Sequence, residues 1–230
     1  MSYTIALIDA DNTLLDFSRS EHDALCDCLT MRGLPCHKDV TDRYAAINDF
    51  YWKQLEKGLV TREDLRILRF EDFCKEFGFD HDPVDMANDY MARLATKSYL
   101  MEGALDFCSA LYGKCRLYLI TNGNTFVQKG RFDPSPLSPL FEACFISEEM
   151  GCAKPEKAYF DMVTSAIPNF DPTQTIVIGD SISSDIWGGI NAGLDTCWYN
   201  HQRKPQPQDV PMTYMAYTFD DIQTIVLSNP

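Results

Sequence analysis

The stretch Tyr3-Thr4-Ile5-Ala6-Leu7-Ile8-Asp9-Ala10-Asp11-Asn12-Thr13 decides the fold of this chain. Its apolar centre has no polar interruption, which is typical of a strand buried on both faces of a parallel sheet. Two carboxylates, Asp9 and Asp11, follow at the carboxyl end of that strand. Burying a carboxylate there costs free energy unless a cation or a reaction uses it. Alternate strand side chains point the same way, so both could converge on one centre. Taken alone, the motif could also simply begin a turn.

Length and charge limit the partners that this chain can have. Its 230 residues can bury a full core, either as one large domain or as a core with an insertion. Asp+Glu 34 against Lys+Arg 20 gives a formal net charge of -14, which repels nucleic-acid backbones and anionic membranes. An anionic small substrate would therefore need a local positive site or a bound metal. We expect a monomer or a homodimer acting on a small molecule.

The cysteines and the N-terminus predict a cytoplasmic protein. Nine scattered cysteines, an odd number, suggest reduced thiols that serve as small buried hydrophobes. We find no apolar stretch that could span a bilayer and no signal-peptide pattern at the start. Cys26, Cys28, Cys36 and His37 could be imagined as a zinc cluster. Because Cys26 and Cys28 are two apart in a helical pattern, they point to different faces, and we expect core cysteines instead.

The order of periodic segments predicts the domain organisation. Four amphipathic helices are predicted between residues 18 and 98, directly after the first strand. From Gly103 onward helices alternate with apolar strands, as in a parallel sheet covered by helices on both faces. The strands predicted in this region are residues 116–120, 145–146, 175–178 and 196–199. We therefore predict an α/β, Rossmann-like parallel-sheet core at residues 1–15 and 99–230, with an inserted all-helical domain at residues 16–98.

Polar motifs follow several of these predicted strands. In chain order they are Asp9-Ala10-Asp11-Asn12-Thr13, Thr121-Asn122-Gly123, Ala153-Lys154-Pro155, and Gly179-Asp180-Ser181 with Asp185 beyond it. Each motif alone is also typical of a turn or a helix start. Ligands of open parallel sheets bind beyond the carboxyl ends of the strands, so the four motifs together predict one site at that edge.

The residue types at this edge suit phosphoryl transfer to a carboxylate. One aspartate can attack phosphorus, and a second can protonate the leaving oxygen and later deprotonate water. Asp180 beside Asp9 would complete an all-oxygen site of the kind that Mg²⁺ prefers. Lys154, the Thr121 hydroxyl and nearby backbone N–H groups at Asn122 and Gly123 would bind phosphate oxygens. A carbon–halogen bond needs no acid for its leaving group, so the second aspartate favours an ester substrate.

In their order, these motifs resemble the four signatures of the haloacid dehalogenase-like (HAD) hydrolase superfamily. The resemblance implies that Asp9 is the nucleophile, Asp11 the acid/base, Thr121 a phosphate ligand, and Lys154 the residue that steadies nucleophile and phosphoryl group. It also implies that Mg²⁺ is held by Asp9, Asp180 and the Asp11 carbonyl, with Asp185 orienting the metal's water shell or the lysine. The helical insertion matches the family's cap domain.

Residues 145–155 and 179–198 are closer still to the bacterial pyrimidine 5′-nucleotidases of the YjjG type. This resemblance implies a 5′-nucleotidase, with Arg69 as a substrate contact. Trp52, within Phe50-Tyr51-Trp52, could stack on a nucleobase, although helical spacing favours a core role for at least two of these three residues. The proline-rich run at residues 133–139 differs from these relatives, in which the helix after the Thr121 motif is longer, because proline cannot continue a helix.

Two other functions remain open from the sequence. A sugar-phosphate or phosphoglycolate-type phosphatase would share the chemistry and differ in the cap. A non-enzymatic phosphoacceptor signalling domain also uses an acidic cluster, a threonine and a lysine. Such a module would not need Asp11 as an acid/base or a helical insertion of this length.

Overall fold

A parallel sheet of six strands organises the larger of two units into which the chain divides. The computed structural model describes residues 2–228; one unit holds the residues up to Phe17 and those from Ser98 onward, and the other holds Ser18–Lys97. The strands are β1 (Ile5–Asp9), β2 (Arg116–Thr121), β3 (Phe141–Ile146), β4 (Thr175–Gly179), β5 (Asp195–Tyr199) and β6 (Tyr214–Ala216). Their order is β3-β2-β1-β4-β5-β6, and these pairings are all parallel. The predicted α/β, Rossmann-like fold is confirmed.

Strand β1 lies at the centre of the sheet, hydrogen-bonded to β2 on one side and β4 on the other. All five of its residues are buried. Ala6 and Ile8 belong to one apolar cluster, whereas Ile5 and Leu7 belong to another. Because alternate side chains of a strand point to opposite faces, these two clusters are the cores on the two faces of the sheet. The apolar run thus forms a doubly buried strand, as the sequence predicts.

The helices of the sheet unit are α5 (Ala104–Leu111), α6 (Thr125–Phe132), α7 (Ser147–Met150), α8 (Lys157–Ala166), α9 (Trp187–Asn191) and α10 (Phe219–Leu227). A π-helical turn, Ile182–Ile186, precedes α9 and carries Asp185. Helix α6 ends at Phe132, directly before the proline-rich run, so the predicted early end of this helix is confirmed. No helix among residues 2–228 is both long and apolar enough to cross a membrane.

The smaller unit contains the four predicted helices, α1 (Phe17–Thr30, whose first residue belongs to the sheet unit), α2 (Lys38–Glu56), α3 (Arg62–Phe77) and α4 (Pro83–Leu94). Helix α3 starts with a capping box between Thr61 and Asp64 and ends at Gly78, which has a left-handed backbone. In the core of this helical unit, the rings of Tyr44, Phe70, Phe73 and Tyr90 pack together. Its role as a cap stays a prediction.

The structure corrects three sequence expectations. Strand β3 begins at Phe141, not at residue 145, because this edge strand is only partly buried and lacks a continuous apolar run. Strand β6 and helix α10 are absent from the sequence-based prediction; β6 has only three residues, too few for a recognisable pattern. Cys26 and Cys36 form a disulfide, so these two are not free core thiols; the helix–loop–helix connection brings their Cα atoms to 5.4 Å.

Candidate active site

Strand β1 ends at Asp9, and the chain turns sharply just after it. Asn12 has a φ of 59°, a left-handed backbone that asparagine tolerates better than most residues. The amide of Leu15 donates back to the Ala10 carbonyl at 2.8 Å, which closes the turn. Asp9 stays 6% exposed, and the Asp11 side chain is 27% exposed. The two carboxylates therefore differ in solvent access although they are one residue apart.

Lys154 is buried and joins two of the acidic side chains. Its Nζ donates to Asp9 Oδ1 at 2.6 Å, to Asp185 Oδ1 at 2.7 Å and to the Ile120 carbonyl at 3.2 Å. Burial disfavours the ammonium form, but Asp185 and Asp9 outweigh it and raise the pKa of Lys154 above its ordinary range. Lys154 is therefore a fixed positive charge at the carboxyl end of β1.

Asn122 fixes the backbone of Lys154 from the end of β2. Its Nδ2 donates to the Lys154 carbonyl at 2.8 Å, and its Oδ1 accepts from the Lys154 amide at 2.9 Å. Both ends of the side-chain amide are used, so Asn122 acts here on the lysine. Its predicted contact with substrate stays a prediction, as does that of Gly123.

Asp180 follows β4 directly, and its backbone is held on both sides. Its amide donates to Thr13 Oγ1 at 3.1 Å, and its carbonyl accepts from Trp198 Nε1 at 2.9 Å. Burial, and then the neighbouring Asp185, raise the pKa of Asp180 to about 7. Thr13 and Trp198 thus position a carboxylate that resists ionisation when no cation is near.

Asp185 lies on the π-helical turn and is completely buried. Besides Lys154, it accepts from the Ser181 amide, at 3.0 Å to Oδ2. A Cβ on Gly179 would come within 2.2 Å of this oxygen, so only glycine leaves room for the carboxylate. With both oxygens engaged, Asp185 is better suited to hold Lys154 than to bind a metal directly.

The acidic cluster fits a divalent cation. Asp9, Asp180 and Asp185 each offer a carboxylate oxygen, and these atoms lie within 4.8 Å of one another. When all three carboxylates are ionised, Lys154 balances only one of their three negative charges. Burial and Asp185 also raise the pKa of Asp9, and the lysine only partly opposes this. Excess negative charge on clustered oxygens is the chemistry that Mg²⁺ sites use.

We expect the stability of the protein without added metal to fall as the pH rises from 5 to 8. The pKa of Asp180 is about 7 in the folded protein against an ordinary 3.8, so the folded state keeps a proton that the unfolded chain has lost. Stability then decreases with rising pH through this window. Thermal melts in EDTA should show a decrease of several degrees, and saturating Mg²⁺ should restore Tm at pH 8. An Asp180→Asn variant that kept the same slope would contradict this assignment.

Thr121 is the last residue of β2. From helix α6, Gln128 contacts both Thr121 and Asp11, and Arg131 contacts Asp11. Gln128 Nε2 donates to Thr121 Oγ1 at 2.6 Å and to Asp11 Oδ2 at 2.7 Å. Arg131 Nη1 donates to Asp11 Oδ1 at 2.5 Å. Sequence reasoning missed both α6 residues. Their spacing of three on a helix that follows the Thr121 motif was the available signal.

Trp52 and Arg69, the predicted cap contacts, lie within the helical unit. Arg69 is 4% exposed; it donates to Asn48 Oδ1 at 2.7 Å, and its guanidinium lies 5.1 Å from the Tyr90 ring centroid. Trp52 is half-buried. Of its two neighbours, Tyr51 is buried but Phe50 is 52% exposed, so the expected core role holds clearly only for Tyr51. Contact of Trp52 or Arg69 with substrate stays a prediction.

The fold and this cluster define an α/β enzyme whose candidate site lies at the carboxyl ends of neighbouring parallel strands. The family model for haloacid dehalogenase-like hydrolases matches residues 3–193. The chain belongs to this family, and the sequence-based assignment to it is confirmed.

Named relatives cover most of the chain. The pyrimidine 5′-nucleotidase PynA of Streptococcus pneumoniae is 35% identical over 96% of this chain and 94% of its own. The pyrimidine 5′-nucleotidase YjjG of Escherichia coli is 32% identical over 80% of each chain. The solved structure of the HAD-hydrolase YfnB from Bacillus subtilis, bound to magnesium, has a TM-score of 0.94 at 36% identity and covers 98% of this chain and 99% of that one.

Proposed function

We propose that this protein is a Mg²⁺-dependent phosphomonoesterase that forms an aspartyl-phosphate on Asp9 and acts on nucleoside 5′-monophosphates. The observation that carries the proposal is the buried Lys154 ammonium, held between Asp9 and Asp185 beside Asp180. This arrangement fixes one oxygen of a carboxylate at the end of β1. A carboxylate so oriented is suited to attack at a single point.

In the first step, an Asp9 oxygen attacks phosphorus and forms a P–O bond, while the bond from phosphorus to the ester oxygen breaks. The leaving oxygen takes the electron pair of that bond and a proton from Asp11. In the second step, Asp11 takes a proton from water as the water oxygen attacks phosphorus. The bond to Asp9 then breaks, which releases inorganic phosphate and regenerates the carboxylate. Lys154 and Thr121 would hold the phosphoryl oxygens throughout.

Mg²⁺ would be held by the carboxylates of Asp9 and Asp180 with the Asp11 carbonyl, and when bound it would neutralise charge on the phosphoryl oxygens. Asp185, the fourth acidic residue of the site, would keep Lys154 in place through its own contact with the lysine Nζ. The acidic cluster and the magnesium bound to the similar YfnB structure support this part of the proposal.

The nucleotide substrate is supported by PynA and YjjG, whose names describe pyrimidine 5′-nucleotidases. The helical unit would act as the cap, with Trp52 stacking on the base and Arg69 as a second contact. Because the residues proposed to carry out the reaction all belong to the sheet unit, we expect substrate preference to depend on residues of the helical unit.

A panel of phosphomonoesters tests this proposal. We expect the highest kcat/KM for a pyrimidine nucleoside 5′-monophosphate such as UMP, slower turnover of purine nucleotides, hexose phosphates and 2-phosphoglycolate, and loss of all activity in EDTA. Addition of Mg²⁺ should restore the activity. Fastest turnover of 2-phosphoglycolate or of a sugar phosphate would support the alternative phosphatase. Stable phosphorylation without turnover would support a phosphoacceptor domain.

A further inference from the structure

Helix α6 presents two polar side chains that the sequence did not single out and that both end on Asp11. Gln128 and Arg131 are three residues apart, so they lie on the same face of the helix. Arg131 donates to one Asp11 oxygen and Gln128 donates to the other, at 2.5 and 2.7 Å. Two donors on two different oxygens fix both the position and the plane of the carboxylate.

The burial of these side chains shows that the contact is built into the fold. Arg131 is 0% exposed and Gln128 is 1% exposed. A buried guanidinium is expensive unless a carboxylate and further hydrogen bonds compensate it. Asp11 supplies that carboxylate, Gln128 Oε1 accepts from Arg131 Nη1 at 3.3 Å, and the Phe17 ring lies 5.5 Å from the guanidinium carbon.

Gly123 leaves the space that Gln128 occupies. A Cβ on this glycine would come within 2.4 Å of Gln128 Nε2. The missing side chain therefore serves the close approach of Gln128 to Thr121 and Asp11. The position of Gln128 therefore depends on a glycine at residue 123.

Gln128 also determines which way the Thr121 hydroxyl points. Thr121 Oγ1 accepts from Gln128 Nε2 at 2.6 Å and from the Gly123 amide at 3.2 Å. A hydroxyl has two lone pairs and one hydrogen, so these two donors leave the hydrogen as its remaining bonding group. Thr121 is thereby set as a donor, which suits an incoming phosphoryl oxygen.

We propose that Arg131 and Gln128 are positioning residues for the reaction: together they orient the Asp11 carboxylate toward the leaving group, and Gln128 couples it to the phosphate-binding Thr121. This inference rests on the proposed phosphomonoesterase function. Each Asp11 oxygen keeps a second lone pair, so the carboxylate can exchange a proton without leaving its two donors.

Leaving groups of different basicity test the inference, because only a poor one needs a proton from Asp11. Arg131→Met should lower kcat for UMP by about 100-fold, within the range for general acid catalysis, and lower kcat for p-nitrophenyl phosphate by less than about fivefold. Arg131→Lys should recover part of the loss. In an Asp11→Asn background, Arg131→Met should cause no further loss with UMP, because the group that it positions is gone.

Gln128→Met removes both contacts of the glutamine, to Asp11 and to Thr121, and keeps Arg131; the UMP and phosphate assays report on the two contacts separately. It should show the same loss with UMP and should also weaken inhibition by inorganic phosphate, whereas Arg131→Met should leave that inhibition unchanged. Lys129→Met is the matched control on α6, since this side chain is exposed and paired with Glu149. It should behave like the native protein in both assays.

Equal losses on UMP and p-nitrophenyl phosphate in Arg131→Met and Gln128→Met, with lowered Tm, would overturn the inference and make the pair a structural contact. A further loss with UMP in the Asp11→Asn background would also overturn it. If the native protein hydrolysed neither ester, the proposed function itself would fail. The two failures are therefore distinguishable.

Discussion

Asp9→Asn is expected to lower kcat by roughly 10⁴-fold or more, the scale seen when a nucleophile is removed. The amide that replaces the carboxylate has no charged oxygen to attack phosphorus. The fold should persist, because the new side chain can still accept from Lys154, and Lys154 keeps Asp185 as its counterion. Turnover of p-nitrophenyl phosphate and UMP in saturating Mg²⁺ measures the loss, and thermal melts report folding.

Labelling provides a second measurement for Asp9. Native protein that is quenched in acid during turnover of ³²P-labelled substrate should carry covalent phosphate, and Asp9→Asn should carry none. Asp209→Asn is the control, since Asp209 is an exposed loop residue. Near-native turnover or labelling of Asp9→Asn would show that another group is the nucleophile.

Lys154→Met is expected to have the next largest effect, on both activity and stability. It leaves Asp9 and Asp185 buried beside each other without the ammonium that both contact. Breaking a buried ion pair from one side costs about 3–5 kcal/mol, so urea denaturation in EDTA should show a loss of that size. We expect kcat to fall by roughly 100-fold or more, because an electrostatic contact to the phosphoryl group is lost.

A change of pH and a control variant test whether the effects of Lys154→Met arise from the loss of this buried charge. Lowering the pH from 8 to 5 should return part of the stability, because protonation of the carboxylates removes their repulsion. Lys157→Met should change neither quantity appreciably, since its ammonium is exposed and paired with Asp161 on the helix surface. Unchanged stability and turnover in Lys154→Met would show that the cluster does not depend on this lysine.

The central strand and the order of the motifs were predictable from sequence because each depends on local pattern. An apolar run that ends in Asp9 is recognisable without tertiary information. For Arg131 the sequence offered only its spacing of three from Gln128, and that signal was too weak, since such a pair of polar residues on a short helix usually faces solvent. The burial of Arg131 depends on the carboxylate of Asp11, which is 120 residues away in the chain. The Cys26–Cys36 disulfide was missed for a similar reason, because pairing depends on how a loop returns.

The position of β1 also has a consequence for how the protein is made. Ile5 pairs with Arg116 on one side and with Thr175 on the other, so the strand that ends in Asp9 leaves the ribosome long before either neighbour exists. Contacts between residues so distant in sequence form slowly, whereas the four helices α1 to α4, which lie between β1 and β2 in the chain, depend on contacts between residues nearer in sequence. Recovery of activity after dilution from urea should therefore lag behind recovery of helical circular dichroism. A nascent chain that stops before β4 would lack the central pairing that holds Asp9 beside Asp180.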